Sequence, residues 1–341
     1  MAALVSVLMP VLNEEVSILD ALSSVLNQEE VDLEVVVIDG HSIDRTVELV
    51  SSVSARDPRV QLLINDRTTI PSSLNTGLSR SRGEFIARVD GHSTVNSTYL
   101  CTALATLRDN PQMGAIGGKR LGIGRSPTGR AIALALSSKF GVGDSINHYA
   151  TTARLTDHAS FGVYRAEIVK AVGGWDETLL AAEDVDFDFR LQQRGHTIGY
   201  DPEMHINWLV RDRLGHFFKQ YRRYGRGKAA MAKKDGFGAI RPRHLVPPSA
   251  VIAGTTILLG ALRNPRLLFG FAPYAVAVLL ASVLAWRRRE PEKQTSVAAL
   301  PVAFSVMHIA WGMGFVEGLV LGRRPALASG NAATKVSPPG L

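Results

Sequence analysis

The sequence predicts an α/β protein in which a doubly wound, mostly parallel sheet is followed by membrane-spanning helices. Short apolar runs alternate with segments of helical period through the first third of the chain, which is typical of a parallel sheet covered by helices on both faces. The last third instead carries long runs with almost no charge. The hydrophobic content of 46% and the mean hydropathy of +0.08 are high for a soluble protein, because most of the excess apolar residues lie after Val246.

Four predicted strands follow one another in the N-terminal part, separated by three predicted helices. Short runs rich in β-branched residues predict the strands, and apolar residues at helical spacing predict the helices. The strands are Leu4–Met9, Leu33–Ile38, Val60–Ile64 and Phe85–Val89, and the helices are Asn13–Leu22, Thr46–Val53 and Ser72–Ser79. The glycine-rich, basic stretch from Gly117 to Gly143 is interpreted as a loop with a short helix at Arg130–Phe140, either covering a phosphorylated ligand or simply solvated.

Polar residues directly follow three of the predicted strands, at Pro10–Glu14, Asp39–His41 and Asp90–His92. Because ligands bind outside the carboxyl ends of such strands, we expect these loops to converge on one crevice. Asp90 and His92 offer an oxygen and a nitrogen ligand for a divalent cation, and the imidazole favours Mn²⁺ over Mg²⁺. An Asp-Gly turn after a strand is the structural alternative, both here and at Asp39.

Two common phosphate-binding motifs are absent from the sequence. No Gly-x-Gly-x-x-Gly follows the first strand, and no Walker lysine loop occurs. Phosphate would therefore have to be neutralised by a metal ion. This fits a nucleotide-diphosphate sugar whose base and ribose contact Asp39 and the first loop, while its pyrophosphate is held through an ion at Asp90 and His92.

A cluster of acidic residues lies between Glu183 and Asp188. Four carboxylates within six positions repel one another unless some of them face an ion, a base or solvent. The exposed first turn of a helix is one interpretation, since acids are favourable there; a general base, Asp184 by preference, is the other. Glu183 and Asp184 cannot share a face with both Asp186 and Asp188. We therefore expect one group of acids to lie in the active site and the other to face the surface or to make a supporting contact.

A basic segment with interleaved aromatic residues precedes the long apolar runs. From His205 to His244 it carries eleven Lys or Arg and two Asp, within a chain of formal net charge +7. Nucleic acid and anionic lipid are both candidate partners of such a segment. Its position directly before the apolar runs favours an amphipathic interfacial segment, residues 205–245, on an anionic leaflet.

Three apolar runs are long enough to cross a membrane: Val246–Leu262, Leu267–Trp286 and Val297–Gly322. The basic loop Arg287–Lys293 is predicted to be cytoplasmic by the positive-inside rule. The N-terminus lacks the basic region of a signal peptide, so the first domain is expected in the cytoplasm. The predicted organisation is a multi-pass protein of the cell membrane, with a first domain at residues 1–204, a membrane domain at 246–322 and a disordered tail at 323–341.

Several short motifs, in this order and spacing, carry a resemblance to a known family. They are Pro10, Asn13 and Glu14; Asp39; Asp90-Gly91-His92; Glu183-Asp184; and Gln220-Tyr221-Arg222-Arg223-Tyr224. The chain resembles the family 2 inverting glycosyltransferases of GT-A fold, most closely the bacterial branch of succinoglycan-type exopolysaccharide glucosyltransferases. The resemblance covers roughly residues 4 to 235 and, more loosely, the membrane part.

This resemblance implies a role for each motif. Asp90 and His92 match the metal motif, usually Asp-x-Asp; Asp184 matches the catalytic base, and Glu183 would position the acceptor. The residues implied in nucleotide-sugar binding are Pro10, Asn13, Glu14, Asp39, Asp90, Gln220, Arg223 and Tyr224. Arg223, with Lys119 or Arg120, would help to stabilise the leaving diphosphate. Tyr224 replaces a Trp that marks processive synthases, so a polymerising role is not carried over.

The expected function is that of a membrane-bound inverting glycosyltransferase that uses a divalent cation, Mn²⁺ or Mg²⁺. The donor would be a nucleotide-diphosphate sugar, with UDP-glucose favoured through the branch resembled. The acceptor would be a hydroxyl of a lipid-linked glycan or polysaccharide in cell-envelope or exopolysaccharide synthesis, and the product a β-glycoside. A second copy of the chain is a further candidate partner, whereas nucleic acid is not expected. The alternatives are a membrane-anchored nucleotide-sugar-binding protein without catalysis and a nucleic-acid-binding membrane protein.

Overall fold

The computed structural model describes residues 3–179 and 181–322. Strands and helices alternate in its N-terminal part as the sequence predicts. The strands are β1 (Val5–Val11), β2 (Leu33–Asp39), β3 (Val60–Ile64), β4 (Phe85–Arg88), β5 (Ser93–Val95), β6 (Met113–Ile123), β7 (Arg154–Thr156), β8 (Val163–Arg165) and β9 (Thr197–Leu209). The helices are α1 (Ile18–Leu26), α2 (Thr46–Ser54), α3 (Ile70–Arg80), α4 (Tyr99–Asp109), α5 (Pro127–Leu136), α6 (Lys139–Val142), α7 (Ala166–Val172), α8 (Glu183–Gln193), α9 (Leu214–Asp235), α10 (Pro242–Ala261), α11 (Ala272–Trp286) and α12 (Ala299–Leu321).

The described strands form one sheet in the order β3-β2-β1-β4-β8-β6-β9-β5, and β7 pairs with β9. Strands β1 to β4 are parallel to one another, as are β6 and β9. Strand β8 is antiparallel to β4 and β6, and β5 and β7 are antiparallel to β9. The predicted parallel sheet is thus confirmed for the N-terminal strands, and the antiparallel strands all follow β4 in the chain.

Apolar layers cover both faces of the sheet. Val7 and Met9 of β1 belong to the core cluster that includes residues of α1 and α4, whereas Leu8 belongs to the cluster that includes residues of α3 and α7. This alternation follows from the two-residue period of a strand. The sheet is therefore doubly wound, and its loops at the carboxyl ends of β1, β2 and β4 lie side by side.

The prediction of a loop from Gly117 onward is wrong, because residues 113–123 form the long strand β6 inside the sheet. The glycines that suggested a loop instead permit close packing. A Cβ atom added at Gly117 would lie 2.7 Å from the backbone nitrogen of Ser160, and one added at Gly118 would overlap the carbonyl oxygen of Met204. The helix predicted at Arg130–Phe140 overlaps α5.

Three C-terminal helices in the described chain are long and apolar enough to cross a membrane: Pro242–Ala261, Pro265–Trp286, which begins with a 3₁₀ turn, and Ala299–Leu321. Each overlaps one of the predicted spans. The predicted tail at 323–341 lies outside the described residues.

Helix α9 lies within the predicted interfacial segment and packs along α12. Glu317 of α12 accepts hydrogen bonds from Arg222 and Arg226, each with a shortest N–O distance of 2.6 Å. Gly314 lies against the carbonyl oxygen of Arg222, where a Cβ atom would overlap it. Strand β9 also continues past residue 204, so the boundary proposed there falls inside a strand of the sheet. The contacts between α9 and α12 join the segment that follows the sheet to the C-terminal helices.

Candidate active site

The loops after β1, β2 and β4 are joined by hydrogen bonds at the carboxyl edge of the sheet. The side-chain oxygen of Asn13 accepts a 2.9 Å hydrogen bond from the backbone nitrogen of Ile43. The backbone nitrogen of Glu14 donates to the hydroxyl of Thr46 over 2.8 Å, and Oε1 of Glu14 lies 2.9 Å from Nδ1 of His92. The structure thus places the three sequence-predicted loops together. Their convergence follows from the adjacency of β2, β1 and β4 in the sheet.

Asp39 ends β2 and presents a carboxylate oxygen without a partner. The residue is 1% exposed, and its Oδ2 accepts a 2.9 Å hydrogen bond from the backbone nitrogen of Ser42. Its Oδ1 is buried and has no hydrogen-bond partner in the described part of the chain. Since buried polar atoms are nearly always paired, this oxygen is a candidate acceptor for an N–H group of a ligand. Pro10 lies beside it on β1, paired in register with Ile38, and β1 continues through Pro10 to Val11 instead of ending there.

Arg88 connects the two acidic parts of the site. Its Nε lies 2.8 Å from Oδ1 of Asp90, and its Nη1 lies 3.1 Å from Oε1 of Glu183. The side chain is largely buried; burial disfavours its charge, but Asp90 and Glu183 outweigh this and raise the pKa of Arg88 well above its usual value. The sequence reasoning missed Arg88. Its signal is a single charge near the end of an otherwise apolar strand.

Asp90 and His92 were predicted to be metal ligands, and their surroundings fit a divalent ion only in part. Oε1 of Glu14 accepts a hydrogen bond from Nδ1 of His92, and Nε2 has no hydrogen-bond partner among the described residues; such carboxylate–histidine pairs are common around metal-ligating imidazoles. Asp90, however, is already paired with Arg88. The described residues contain no group of three or more His, Cys, Asp or Glu side chains able to hold a metal. An ion here would therefore need oxygen atoms of a bound diphosphate to complete its ligands, which is usual for Mg²⁺.

The four acids of the cluster have different surroundings on α8. Asp186 and Asp188 are 0% exposed. Asp186 accepts hydrogen bonds from Arg190 at 2.8 Å and Lys234 at 2.6 Å, so it ties α8 to α9. Asp184 is the most accessible of the four, with a side chain that is 35% exposed. Exposure thus distinguishes Asp184 from Asp186 and Asp188, but the helix face does not separate it from Asp188, because both of these acids face His158.

His158 lies between the exposed and the buried carboxylates of this helix. Its Nδ1 is 2.7 Å from Oδ2 of Asp188, which also accepts a 2.8 Å hydrogen bond from the backbone of Ala159. Its Nε2 is 3.6 Å from Oδ2 of Asp184. Burial lowers the pKa of His158, but Asp184 and Asp188 outweigh burial and raise it. The sequence offered no local signal for this contact.

Electrostatics distinguish the two acids at the start of α8. Burial raises the pKa of Asp184, but His158 and Arg88 outweigh it, so that the pKa is lowered. For Glu183, burial and the neighbouring charge of Asp184 outweigh Arg88 and raise the pKa. Asp184 is therefore the stronger acid and is ionised at neutral pH, with an accessible oxygen that can accept a proton.

The predicted residues of α9 contact one another. Nε2 of Gln220 donates a 3.1 Å hydrogen bond to the hydroxyl of Tyr224, and Arg223 is exposed, 5.8 Å from the ring centroid of Tyr224. Arg120 of β6 lies 4.4 Å from the ring centroid of Trp208, and its charge helps to lower the pKa of Asp184. The neighbouring Lys119 is half-buried.

Comparisons with known proteins agree on one family. Residues 6–173 match Glycosyl transferase family 2. The succinoglycan biosynthesis protein ExoA of Rhizobium meliloti is 30% identical over 327 residues, which covers 93% of this chain and 96% of that protein. A dolichyl N-acetyl-alpha-D-glucosaminyl phosphate 3-beta-D-2,3-diacetamido-2,3-dideoxy-beta-D-glucuronosyltransferase of Methanococcus voltae is 22% identical, covering 93% of this chain and 98% of that protein.

A solved structure is similar over nearly the whole chain. It is a mannosyltransferase of Pyrobaculum calidifontis in complex with GDP-Man and Mn²⁺, with a TM-score of 0.65 and 19% identity, covering 95% of this chain and 89% of that chain. At this level of identity the similarity concerns the fold.

Proposed function

The chain belongs to glycosyl transferase family 2 and is a glycosyltransferase, and on this premise we propose that it moves a sugar from a nucleotide-diphosphate donor to a hydroxyl group of a lipid-linked or polysaccharide acceptor. The predicted GT-A fold with apolar C-terminal helices is confirmed. The observation that carries the proposal is the bridge made by Arg88, since it joins the loop of Asp90 to the helix of Glu183 and Asp184. A donor-binding edge and a base lie next to each other in this arrangement.

The donor would bind along the carboxyl edge of β1, β2 and β4. Asp39 would accept an N–H of the base at its unpartnered Oδ1, and Pro10, Asn13 and Glu14 would line the nucleotide. Asp90 and His92 would hold a divalent ion, which when bound neutralises charge on the diphosphate. The Mn²⁺ in the mannosyltransferase structure supports this assignment. From α9, the side chains of Gln220, Arg223 and Tyr224 would contact the bound nucleotide sugar.

The transfer is a single displacement. Asp184 takes the proton of the acceptor hydroxyl while that oxygen attacks the anomeric carbon, and the bond from this carbon to the diphosphate oxygen breaks. With no covalent intermediate, an α-linked donor gives a β-glycoside. Glu183, fixed by Arg88, would position the acceptor. The lowered pKa of Asp184 keeps it ionised, which is the state that a general base needs before proton transfer.

The setting proposed for this reaction is the cytoplasmic face of the cell membrane, with UDP-glucose as the favoured donor. The three candidate spans support a membrane location. The basic loop Arg287–Lys293 supports the cytoplasmic side. The two relatives support exopolysaccharide or lipid-linked acceptors, because one is named for succinoglycan biosynthesis and the other for a dolichyl phosphate-linked substrate.

The full chain, purified in detergent, should be assayed with UDP-, GDP- and dTDP-sugars, with and without lipid extract, by nucleotide release and labelled product. We expect one donor to be used, with turnover stimulated by the lipid extract. EDTA should abolish transfer, and added Mn²⁺ or Mg²⁺ should restore it. Full activity in EDTA would refute the metal assignment. Oligonucleotide binding with a steep salt dependence, in a protein that ignores every nucleotide sugar, would refute the function.

A further inference from the structure

A groove lies between the sheet domain and the second candidate membrane helix. It has a volume of about 660 Å³ and lies between residues 134–154 on one side and α11 with Arg288 on the other. Its apolar wall includes Leu134 and Phe140 of the sheet domain and Leu280 and Leu284 of α11. Leu280 and Leu284 are 60% and 59% exposed in the structure. The apolar wall is therefore accessible from the region that the membrane would occupy.

Three cations line the same groove: Lys139, Arg154 and Arg288. No acidic side chain lines it in the described part of the chain, and none of the three makes an ion pair with a described residue. Lys139 lies 5.1 Å from the ring centroid of Tyr149, and Arg154 donates a 2.6 Å hydrogen bond to the hydroxyl of Thr152. The groove thus carries three cations that form no ion pair within the described part of the chain.

Along α11, the apolar part of the groove comes first and the charged part follows at the end of the helix. Leu280 and Leu284 lie within the candidate span, whereas Arg288 follows its last residue, Trp286. A basic residue at the end of a span sits at the level of the lipid headgroups. An amphiphile with an apolar chain and an anionic head therefore matches the groove in both polarity and orientation.

One wall of the groove also leads to the proposed base. Tyr149, Ala150 and Thr151 line the groove. Two residues before Tyr149, the side chain of Asn147 donates a 2.9 Å hydrogen bond to the carbonyl oxygen of His158. His158 in turn lies beside Asp184. The groove is thus connected through a short segment to the side of the site where the acceptor hydroxyl must arrive.

We propose that this groove binds the lipid carrier of the acceptor, a polyprenyl diphosphate whose chain lies on Leu280 and Leu284 and whose diphosphate contacts Lys139, Arg154 and Arg288. The proposal rests on the proposed function for the identity of this lipid as the acceptor. It assigns the groove to one molecule, the carrier, and not to bulk anionic phospholipid. The carrier's sugar would then extend along residues 147–151 toward Asp184.

The test uses the full chain in vesicles of phosphatidylcholine with a photoreactive polyprenyl diphosphate. We expect crosslinks to α11 in the wild type, and at least ten-fold fewer in Arg288→Gln and in the filling variant Leu280→Trp. The matched controls are Arg287→Gln and Leu279→Trp. Arg287 and Leu279 are exposed neighbours that do not line the groove, so these variants should crosslink within two-fold of the wild type.

Kinetics give a second measurement. Arg288→Gln should raise the KM for a polyprenyl diphosphate-linked acceptor at least ten-fold, whereas Arg287→Gln should not. Equal crosslinking in Arg288→Gln, Leu280→Trp and their controls would overturn the proposal. Loss of crosslinking when excess phosphatidylglycerol is added would also overturn it, since bulk lipid would then be the occupant. Failure of the proposed function is distinguishable, because a wild type that transfers no sugar would still give the crosslinking result.

Discussion

The Nε2 atom of His158 lies 3.6 Å from Oδ2 of Asp184. The other nitrogen of the same ring is 2.7 Å from Oδ2 of Asp188. One imidazole therefore separates a carboxylate that is partly exposed from one that is fully buried. Burial raises the pKa of Asp188 to about 6, whereas the pKa of Asp184 is lowered because His158 and Arg88 outweigh burial. The two acids thus have different environments although they lie on the same helix.

Asp184→Asn should lower kcat by about 10²- to 10⁴-fold, because it keeps the shape of the side chain and removes the general base. Donor binding should change little, since the base acts on the acceptor hydroxyl. Steady-state rates and nucleotide-sugar titration measure the two quantities. The comparison variant is Asp188→Asn, which weakens the contacts of this carboxylate with His158 and the backbone of Ala159 and should lower the unfolding midpoint instead of causing a selective loss of kcat. If Asp184→Asn is folded and transfers sugar at a near wild-type rate while Asp186→Asn or Asp188→Asn is inactive, the assignment is wrong and a later acid of α8 is the base.

His158→Gln should change how stability depends on pH. Because the folded-state pKa of His158 is raised, its contribution to the free energy of unfolding is fully present below the unfolded value of about 6.5 and is lost as pH rises through the folded value. The stability advantage of the wild type over His158→Gln should therefore shrink from about pH 6.5 upward. Thermal unfolding midpoints across this range measure it. His216 is exposed, and His216→Gln should show no such trend; a difference that grows with pH would contradict the ion-pair assignment.

Arg88→Met should destabilise the protein by about 3–5 kcal/mol, because it leaves the buried carboxylate of Glu183 and the half-buried carboxylate of Asp90 without their cation. Both contacts are short, at 2.8 and 3.1 Å. The unfolding midpoint in detergent, followed by intrinsic fluorescence, measures the loss. Arg45 forms an exposed pair with Glu48, so Arg45→Met should have little effect. An unchanged midpoint in Arg88→Met would show that the bridge does not hold the site together.

Asp39→Asn should weaken nucleotide binding by about 10- to 100-fold, the range for loss of a hydrogen bond to a charged group. The amide can still accept the bond from Ser42, but it offers only one oxygen. Stability should be maintained or improved, since a buried charge is removed. Calorimetric titration with UDP and a thermal scan separate the two effects. Asp20 is exposed on α1 and supplies the control Asp20→Asn; wild-type affinity in Asp39→Asn would mean that Oδ1 does not meet the nucleotide.

The sequence by itself determined the fold class, the family and the loops of the donor edge. Strand and helix periods are local, because burial on one face repeats every two or every 3.6 residues, so β1 to β4 and their helices could be predicted segment by segment. The polar loops at Asp39 and Asp90 could be placed together because neighbouring parallel strands end at one edge. The three candidate membrane spans could be predicted from the length and composition of the apolar runs alone.

The tertiary structure alone decided what supports the acids. Arg88 contacts Glu183 across 95 positions of the chain, and His158 contacts Asp188 across 30. Ion pairs depend on distance in space, and no local period encodes which distant side chains meet. The same reason explains the error at Gly117 and Gly118: glycines are a loop signal locally, whereas in β6 they permit close approach of Ser160 and Met204. The sequence could name the acids, but only folding placed Arg88 beside Glu183 and His158 beside Asp184 and Asp188.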